Sequence, residues 1–213
     1  MDKVYIVIDV ETTGDRIGVD SMLSLGACVV PRVKRTFAEQ KMLGEIFYVE
    51  MKPTSLYYVP AAVAVGASKL VALGPVWDKP MFIPGHTACN VPEMLRYLQD
   101  SEVTVFPATA MRKFAAWVQK VGHLKHVVGV TNTTFFDSGW NNYYCTTHGD
   151  FAPLFGWLGI DLRSFWGGAT GNPDAKLKTA HDEGDRPFKH RADHDACAHA
   201  ETARVVLFEK LVR

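Results

Sequence analysis

The chain has 213 residues, 47% hydrophobic and 22% charged, with a formal net charge of zero and a pI near 7.1. That is enough apolar material for one α/β domain spanning 1–213 with a large core, and too little positive charge for a protein that coats nucleic acid broadly. No apolar run approaches the ~18 residues of a membrane span, no signal or transit peptide precedes the first strand-like run, and the scattered Cys28, Cys89, Cys145 and Cys197 do not form a disulfide framework. The expected setting is reducing and intracellular, cytoplasmic by default, without a membrane partner.

Val4 to Ile8 is an apolar, β-branched run ending in Asp9, the pattern of a central strand buried on both faces. Residues 23–30 and 45–52 read as two further strands, joined by turns short enough for an antiparallel meander. Residues 61–73 have helical character interrupted by Gly66, and residues 84–106, punctuated by Pro84, Pro92 and Pro107, read as an insertion. A helix follows over 109–121, with Met111, Phe114, Ala115, Val118 and Val121 at helical spacing. Short strands are predicted at 127–130 and 159–162, a Gly-rich loop at 167–184 and a closing helix at 192–211. Three strands, a helix, a strand, a helical stretch, a strand and a helix predict an α/β fold, a mixed sheet flanked by helices.

Acidic residues fall where these elements end. Asp9 and Glu11 are two apart, so an extended strand presents both carboxylates on one face. Carboxylates forced together repel and raise a pKa unless a cation neutralises them, and a hard divalent ion such as Mg²⁺ or Mn²⁺ suits oxygen ligands. Thr12, Thr13 and Gly14 follow as the strand breaks, with backbone N–H groups able to meet a nucleotide. Asp137 follows Phe135 and Phe136, which are expected to anchor its loop; alone it reads as a helix N-cap. On the last helix, Ala192, Ala196, His199, Ala203, Val206, Leu207 and Lys210 form one stripe flanked by Asp195. His194 points to the opposite side and reads as solvated, and Asp193 reads as a charge favoured by the helix dipole. His190 lies five residues before Asp195, so it belongs on the loop before the helix, where an imidazole suits a general base.

Three further groups have more than one reading. Phe135, Trp140, Tyr143 and Trp166 are candidates for base stacking, with core packing as the alternative for each. Lys176, Lys178, Arg186, Lys189 and Arg191 gather near His190 and are suited to tracking a phosphate backbone, or form a solvated loop. His86 with Cys89 and Cys145 with His148 each have the spacing of half a Cys₂His₂ zinc site, although the separation is long and knuckle glycines are missing.

Asp9-Val10-Glu11-Thr12-Thr13-Gly14, Phe136-Asp137 and His190-Arg191-Ala192-Asp193-His194-Asp195-Ala196 resemble the three motifs of the DEDDh (DnaQ-like) 3′–5′ exonucleases of the ribonuclease H-like superfamily. The resemblance implies a five-stranded mixed sheet with three antiparallel N-terminal strands and then parallel ones. It implies two divalent metal ions held by Asp9, Glu11, Asp137 and Asp195, with His190 as general base. It implies release of nucleoside monophosphates from the 3′ end of nucleic acid, single-stranded DNA or RNA. The family often carries Glu where this chain has Ser24, and an Asn four residues before the middle Asp, where Asn132 stands five before. A proofreading or partner-dependent subunit and a silent nucleic-acid-binding protein are the alternatives. The chain ends two residues after Leu211, which speaks against a polymerase tether. The oligomeric state stays open, a homodimer included.

Overall fold

Five strands carry the molecule: β1 (Lys3–Thr12), β2 (Met22–Val29), β3 (Ile46–Glu50), β4 (His126–Thr131) and β5 (Gly159–Asp161), in spatial order β3-β2-β1-β4-β5. The computed structural model describes residues 3–123, 126–155, 159–177 and 189–210. β1 pairs antiparallel with β2, and β2 with β3; β1 pairs in parallel with β4, and β4 with β5. This is the mixed sheet expected, with β1 at its centre. Ile6, Ile8 and Val10 of β1 enter one core with Met111, Phe114 and Val118 of the helix α4 (Pro107–Gly122, numbered by its place in the chain). Val7, on the other face, packs with Cys28, Ala196 and Ala200. Alternation along one strand thus feeds two cores.

The helices depart from the sequence reading in four places. The β2–β3 connection is not a short turn: it holds α1 (Phe37–Met42), opened by a reciprocal capping box between Thr36 and Glu39. α2 (Pro60–Gly66) stops early, and a 3-10 turn over Val71–Val76 replaces its expected continuation. Gly66 ends α2 and lets it close on β1, since a Cβ there would lie 2.7 Å from the Thr12 carbonyl oxygen. Residues 84–106 contain α3 (Val91–Asp100), N-capped by Asn90, whose Met94, Leu95 and Leu98 build a second core with Leu23, Val63, Leu70 and Leu73. The expected loop at 167–184 begins inside a helix. After α4 come α5 (Gly139–Tyr144) and α6 (Leu162–Thr170), and Asp161 caps α6 by accepting from the Ser164 N–H at 2.7 Å; residues 178–184 lie outside the described ones.

The last helix, α7 (Ala192–Arg204), continues as a π-helical turn over Val205–Lys210, and Leu211 lies outside the described residues. Its predicted stripe is buried at Ala192, Ala196, His199, Ala203 and Val206. No described helix is long and apolar enough to cross a membrane. A side chain from α5 locks the start of β2: the buried Tyr144 hydroxyl accepts from the Met22 N–H at 2.8 Å. Tyr144→Phe removes that acceptor and leaves a buried donor without it. An expected loss of about 1–3 kcal/mol follows, to be read by urea unfolding; an unchanged midpoint and slope would disprove it.

Candidate active site

The C-terminal end of β1 runs beyond its pairing with β4. That ladder reaches only Val7 opposite Val130, so the next amides on the β4 side need other partners. Asp137 supplies one: the Val10 N–H donates to its Oδ1 at 3.3 Å. Asp137 sits in a π-helical turn over Thr134–Ser138, not at a helix N-cap. The turn is pinned from outside by the Thr134 N–H donating to Asp161 Oδ2 at 2.8 Å, and from inside by Phe136 packed edge-on against Trp140. Phe135 does not anchor the loop as expected; it is 97% exposed.

Asp9 and Glu11 lie on the β1 face that carries Val7, the face covered by α7. Their cross-strand partners are Gly26 and Ser24. Gly26 is what lets α7 come down onto this face. A Cβ there would stand 2.1 Å from the Ala192 carbonyl carbon and 2.3 Å from the Asp193 nitrogen. The sequence reading passed over Gly26, although a glycine inside an apolar strand is a signal of close backbone approach.

The docked helix start brings Asp195 and His190 over the strand end. Glu11, His190 and Asp195 each offer a ligand atom, and these atoms lie within 4.8 Å of one another, the one such group among the described residues. His190 sits before α7 as expected, with a left-handed backbone (φ 66°), and its N–H donates to Asp195 Oδ2 at 3.0 Å. A non-glycine residue in that conformation is uncommon and strained, and such strain clusters at functional sites.

Burial and crowding set the electrostatics. Burial, then the charges of Asp195 and Asp137, push the Glu11 carboxyl up to about 8. Burial also pushes Asp137 up to about 6, against the opposing pull of the Val10 N–H, His199 and Thr133. His199, one turn after Asp195 on the buried stripe, thus bears on the same cluster. At Glu11 and Asp137, burial outweighs the positive charge and hydrogen bonds that the protein itself supplies. The grouped donors are two carboxylates and an imidazole, with Asp137 close enough to act on Glu11 and Asp9 half-buried on the same face. It fits hard divalent cations.

The other candidate residues divide. Thr12 donates its hydroxyl to the Gly14 carbonyl at 2.6 Å. Thr13 is fully buried scaffold: its N–H donates to the Ser21 carbonyl, its hydroxyl donates to the Tyr57 carbonyl and accepts from the Ser21 N–H. Its N–H and hydroxyl are therefore engaged within the protein. At Gly14 the space of a Cβ is taken by the Asp20 carboxyl, which Arg16 holds below the usual carboxylate range. Trp140 and Trp166 are buried, Tyr143 packs on Tyr144 and His148, and only Phe135 of the four stacking candidates stands free in solvent.

Arg191 and Asp193 also read differently from expectation. Asp193 is buried and ion-paired with Arg191 at 2.9 Å, and the guanidinium lies over the Tyr48 ring. They lock the helix start to β3, so Arg191 is not a free phosphate contact. His194 is not solvated; it stacks on Phe37 with ring centroids 4.1 Å apart. Lys176 and Lys189 are exposed, and Lys178 and Arg186 lie outside the described residues. The zinc alternative fails: Cys145 is buried in the α4 core, Cys89 packs against the α3 core, and His86 and His148 join no metal-binding group among the described residues.

No family model matches the chain. It is similar to the 3'-5' DNA exonuclease Cap18 of Escherichia coli, with 27% identity covering 96% of this chain and 91% of that one. In structure it is similar to the nuclease domain of 3'hExo, a DEDDh family member, bound to rAMP (TM-score 0.63, 15% identity, 96% of this chain and 91% of that one). It is also similar to the cell-death related nuclease CRN-4 (TM-score 0.64, 13% identity, 96% and 63%). E. coli Exonuclease I in complex with a dT13 oligonucleotide gives a TM-score of 0.62 at 15% identity, this chain covering 41% of that one. The structural likenesses establish a shared fold, the mixed sheet with flanking helices.

Proposed function

We propose that this chain, of DEDDh exonuclease type in its motifs and its fold, is a metal-dependent 3′–5′ exonuclease releasing nucleoside monophosphates from single-stranded nucleic acid. One observation carries the reading. Glu11, His190 and Asp195, from separate parts of the chain, bring ligand atoms together at the end of β1, and the charges of Asp195 and Asp137 help to raise the Glu11 carboxyl. The similar protein named as a DNA exonuclease and the Exonuclease I complexes with single strands support the substrate class.

In this reading Asp9, Glu11, Asp137 and Asp195 hold two divalent ions, Mg²⁺ or Mn²⁺. Bound there, such ions supply Lewis-acid polarisation of the phosphate and favour deprotonation of water. His190 takes the proton of the attacking water, and its position before α7 sets the imidazole beside the carboxylates. Thr12 and Gly14 form the strand end facing the terminal nucleotide. The half-open loop around Phe135 offers an aromatic surface to the bases.

The test is digestion of 3′-labelled and 5′-labelled single strands, DNA and RNA, with Mn²⁺ or with EDTA. Metal-dependent release of labelled mononucleotide at once from the 3′ label, and late from the 5′ label, is expected. Binding without cleavage of any strand would favour the silent or partner-dependent alternatives.

The raised carboxyls add a pH prediction. Glu11 has a folded value of about 8, above its ordinary 4.5, so its stabilising contribution is full below 4.5 and is lost as pH rises through about 8. Asp137, raised from 3.8 to about 6, acts in the same sense over a lower range. The Tm in EDTA is expected to fall from pH 5 to pH 8.5, with a shallower fall in Glu11→Gln. Mn²⁺ is expected to raise Tm most at the alkaline end, where it has no ligand proton to displace. A Glu11→Gln profile parallel to the wild type would count against it.

A further inference from the structure

A row of side chains crosses the sheet beside the site. Register places Glu11 of β1 opposite Ser24 of β2, and Ser24 opposite Glu50 of β3. Directly paired residues share a face and stand ~4.5–5.5 Å apart at Cβ. Ser24 is therefore a hydroxyl set between two carboxylates.

The two neighbours differ. Glu50 is satisfied: it accepts from the Tyr48 hydroxyl at 2.5 Å and from the Val71 and Ala72 N–H groups at 2.5 and 2.9 Å, tying β3 to the turn after α2. It needs nothing from Ser24. Glu11 faces Asp195 and His190 across the candidate metal site. Ser24 itself is 1% exposed, and its Oγ has no hydrogen-bond partner. Burying a hydroxyl unpaired is unfavourable, and such a group in a folded protein calls for a partner that arrives with a water, an ion or a rearrangement.

From this we infer that Ser24 is a positioning residue for the metal site: its hydroxyl donates to the Glu11 carboxylate when cations are bound. This rests on the proposed metal-binding reading. A carboxylate oxygen turned to a cation leaves lone pairs on its partner oxygen, and metal ligands are oriented by such outer hydrogen bonds. The opposite side of Glu11 is closed by Gly66, where a Cβ would lie 3.3 Å from Oε2. With α2 on one side and β2 on the other, Ser24 is the neighbouring strand's donor on this face. The glutamate often found here in the resembling family has no proton to donate when ionised, so a serine serves the site differently.

Mn²⁺ affinity, measured by calorimetry on wild type, Ser24→Ala and Ser24→Thr, tests this without using catalysis. Ser24→Ala is expected to bind Mn²⁺ about tenfold more weakly, and Ser24→Thr, which keeps the hydroxyl, to recover most of the affinity. The Tm of metal-free Ser24→Ala is expected to equal or exceed the wild-type value, because the variant sheds an unpaired buried group. Equal Mn²⁺ affinity in wild type and Ser24→Ala would overturn the inference alone. A markedly lower metal-free Tm would assign Ser24 to the fold and overturn it too. A wild type that binds no Mn²⁺ would remove the metal-site reading and this inference with it.

Discussion

Replacing Gly26 by alanine is expected to lower the rate of 3′-end digestion at least about a hundredfold while leaving a folded protein. The added methyl meets backbone, not a side chain: the Ala192 carbonyl carbon at 2.1 Å, its oxygen at 2.2 Å and the Asp193 nitrogen at 2.3 Å. No rotamer change relieves such a clash, so α7 must lift from β2 or the strand must bend. Asp195 sits in the first turn of that helix, and His190 is tied to Asp195 through its N–H. The displacement therefore moves two of the converging groups away from Asp9 and Glu11, which stay on β1. A misplacement of about 1 Å costs about 10²-fold in rate, and overpacking costs about 1–3 kcal/mol of stability. Gly14→Ala is the useful comparison, because its methyl meets a side chain, the Asp20 carboxyl at 2.4 Å. Rates, Tm and far-UV circular dichroism should be measured on both. A Gly26→Ala protein that digests at the wild-type rate would show that α7 is not held where the site requires it.

The central strand was legible because its apolar run is short, rich in β-branched residues and ends in Asp9, which favours a strand buried on both faces. The closing helix was legible from its small-residue stripe, and those small residues let α7 lie against the sheet. α1 and α6 escaped notice because each is short and is set by its caps, Thr36 with Glu39 and Asp161, more than by hydrophobic period. α3 was read as an irregular insertion because prolines dominated the pattern, although Pro92 stands in its first turn, where proline is tolerated. At the site, residue types and order were readable, but tertiary pairing was not. Nothing local distinguishes Arg191 paired with Asp193 from Arg191 free for phosphate. Nothing local distinguishes Phe136, packed on Trp140, from Phe135, left in solvent. Helical phase put His194 opposite the stripe and solvated; the Phe37 on which it stacks came from α1, an element the pattern did not reveal.

His190→Ala is expected to lose about 10²- to 10⁴-fold in turnover, the range of a general base, with Mn²⁺ affinity nearly unchanged. The second half of that expectation decides between two roles open to this imidazole. Its nitrogen lies within 4.8 Å of carboxylate oxygens from both Glu11 and Asp195, close enough to ligate the same cation. A ligand's removal would weaken metal binding and allow high Mn²⁺ to restore the rate. A base's removal would leave binding intact and the rate low at any Mn²⁺ concentration. The backbone favours the base. His190 has a left-handed backbone and its N–H donates to Asp195, so the residue is fixed through its main chain. The side chain is only half-buried, so free imidazole can enter the space that alanine leaves. Added imidazole is therefore expected to restore part of the lost rate, and the recovery should grow with the fraction of imidazole that is neutral. Restoration by excess Mn²⁺ and none by imidazole would transfer His190 from proton acceptor to metal ligand.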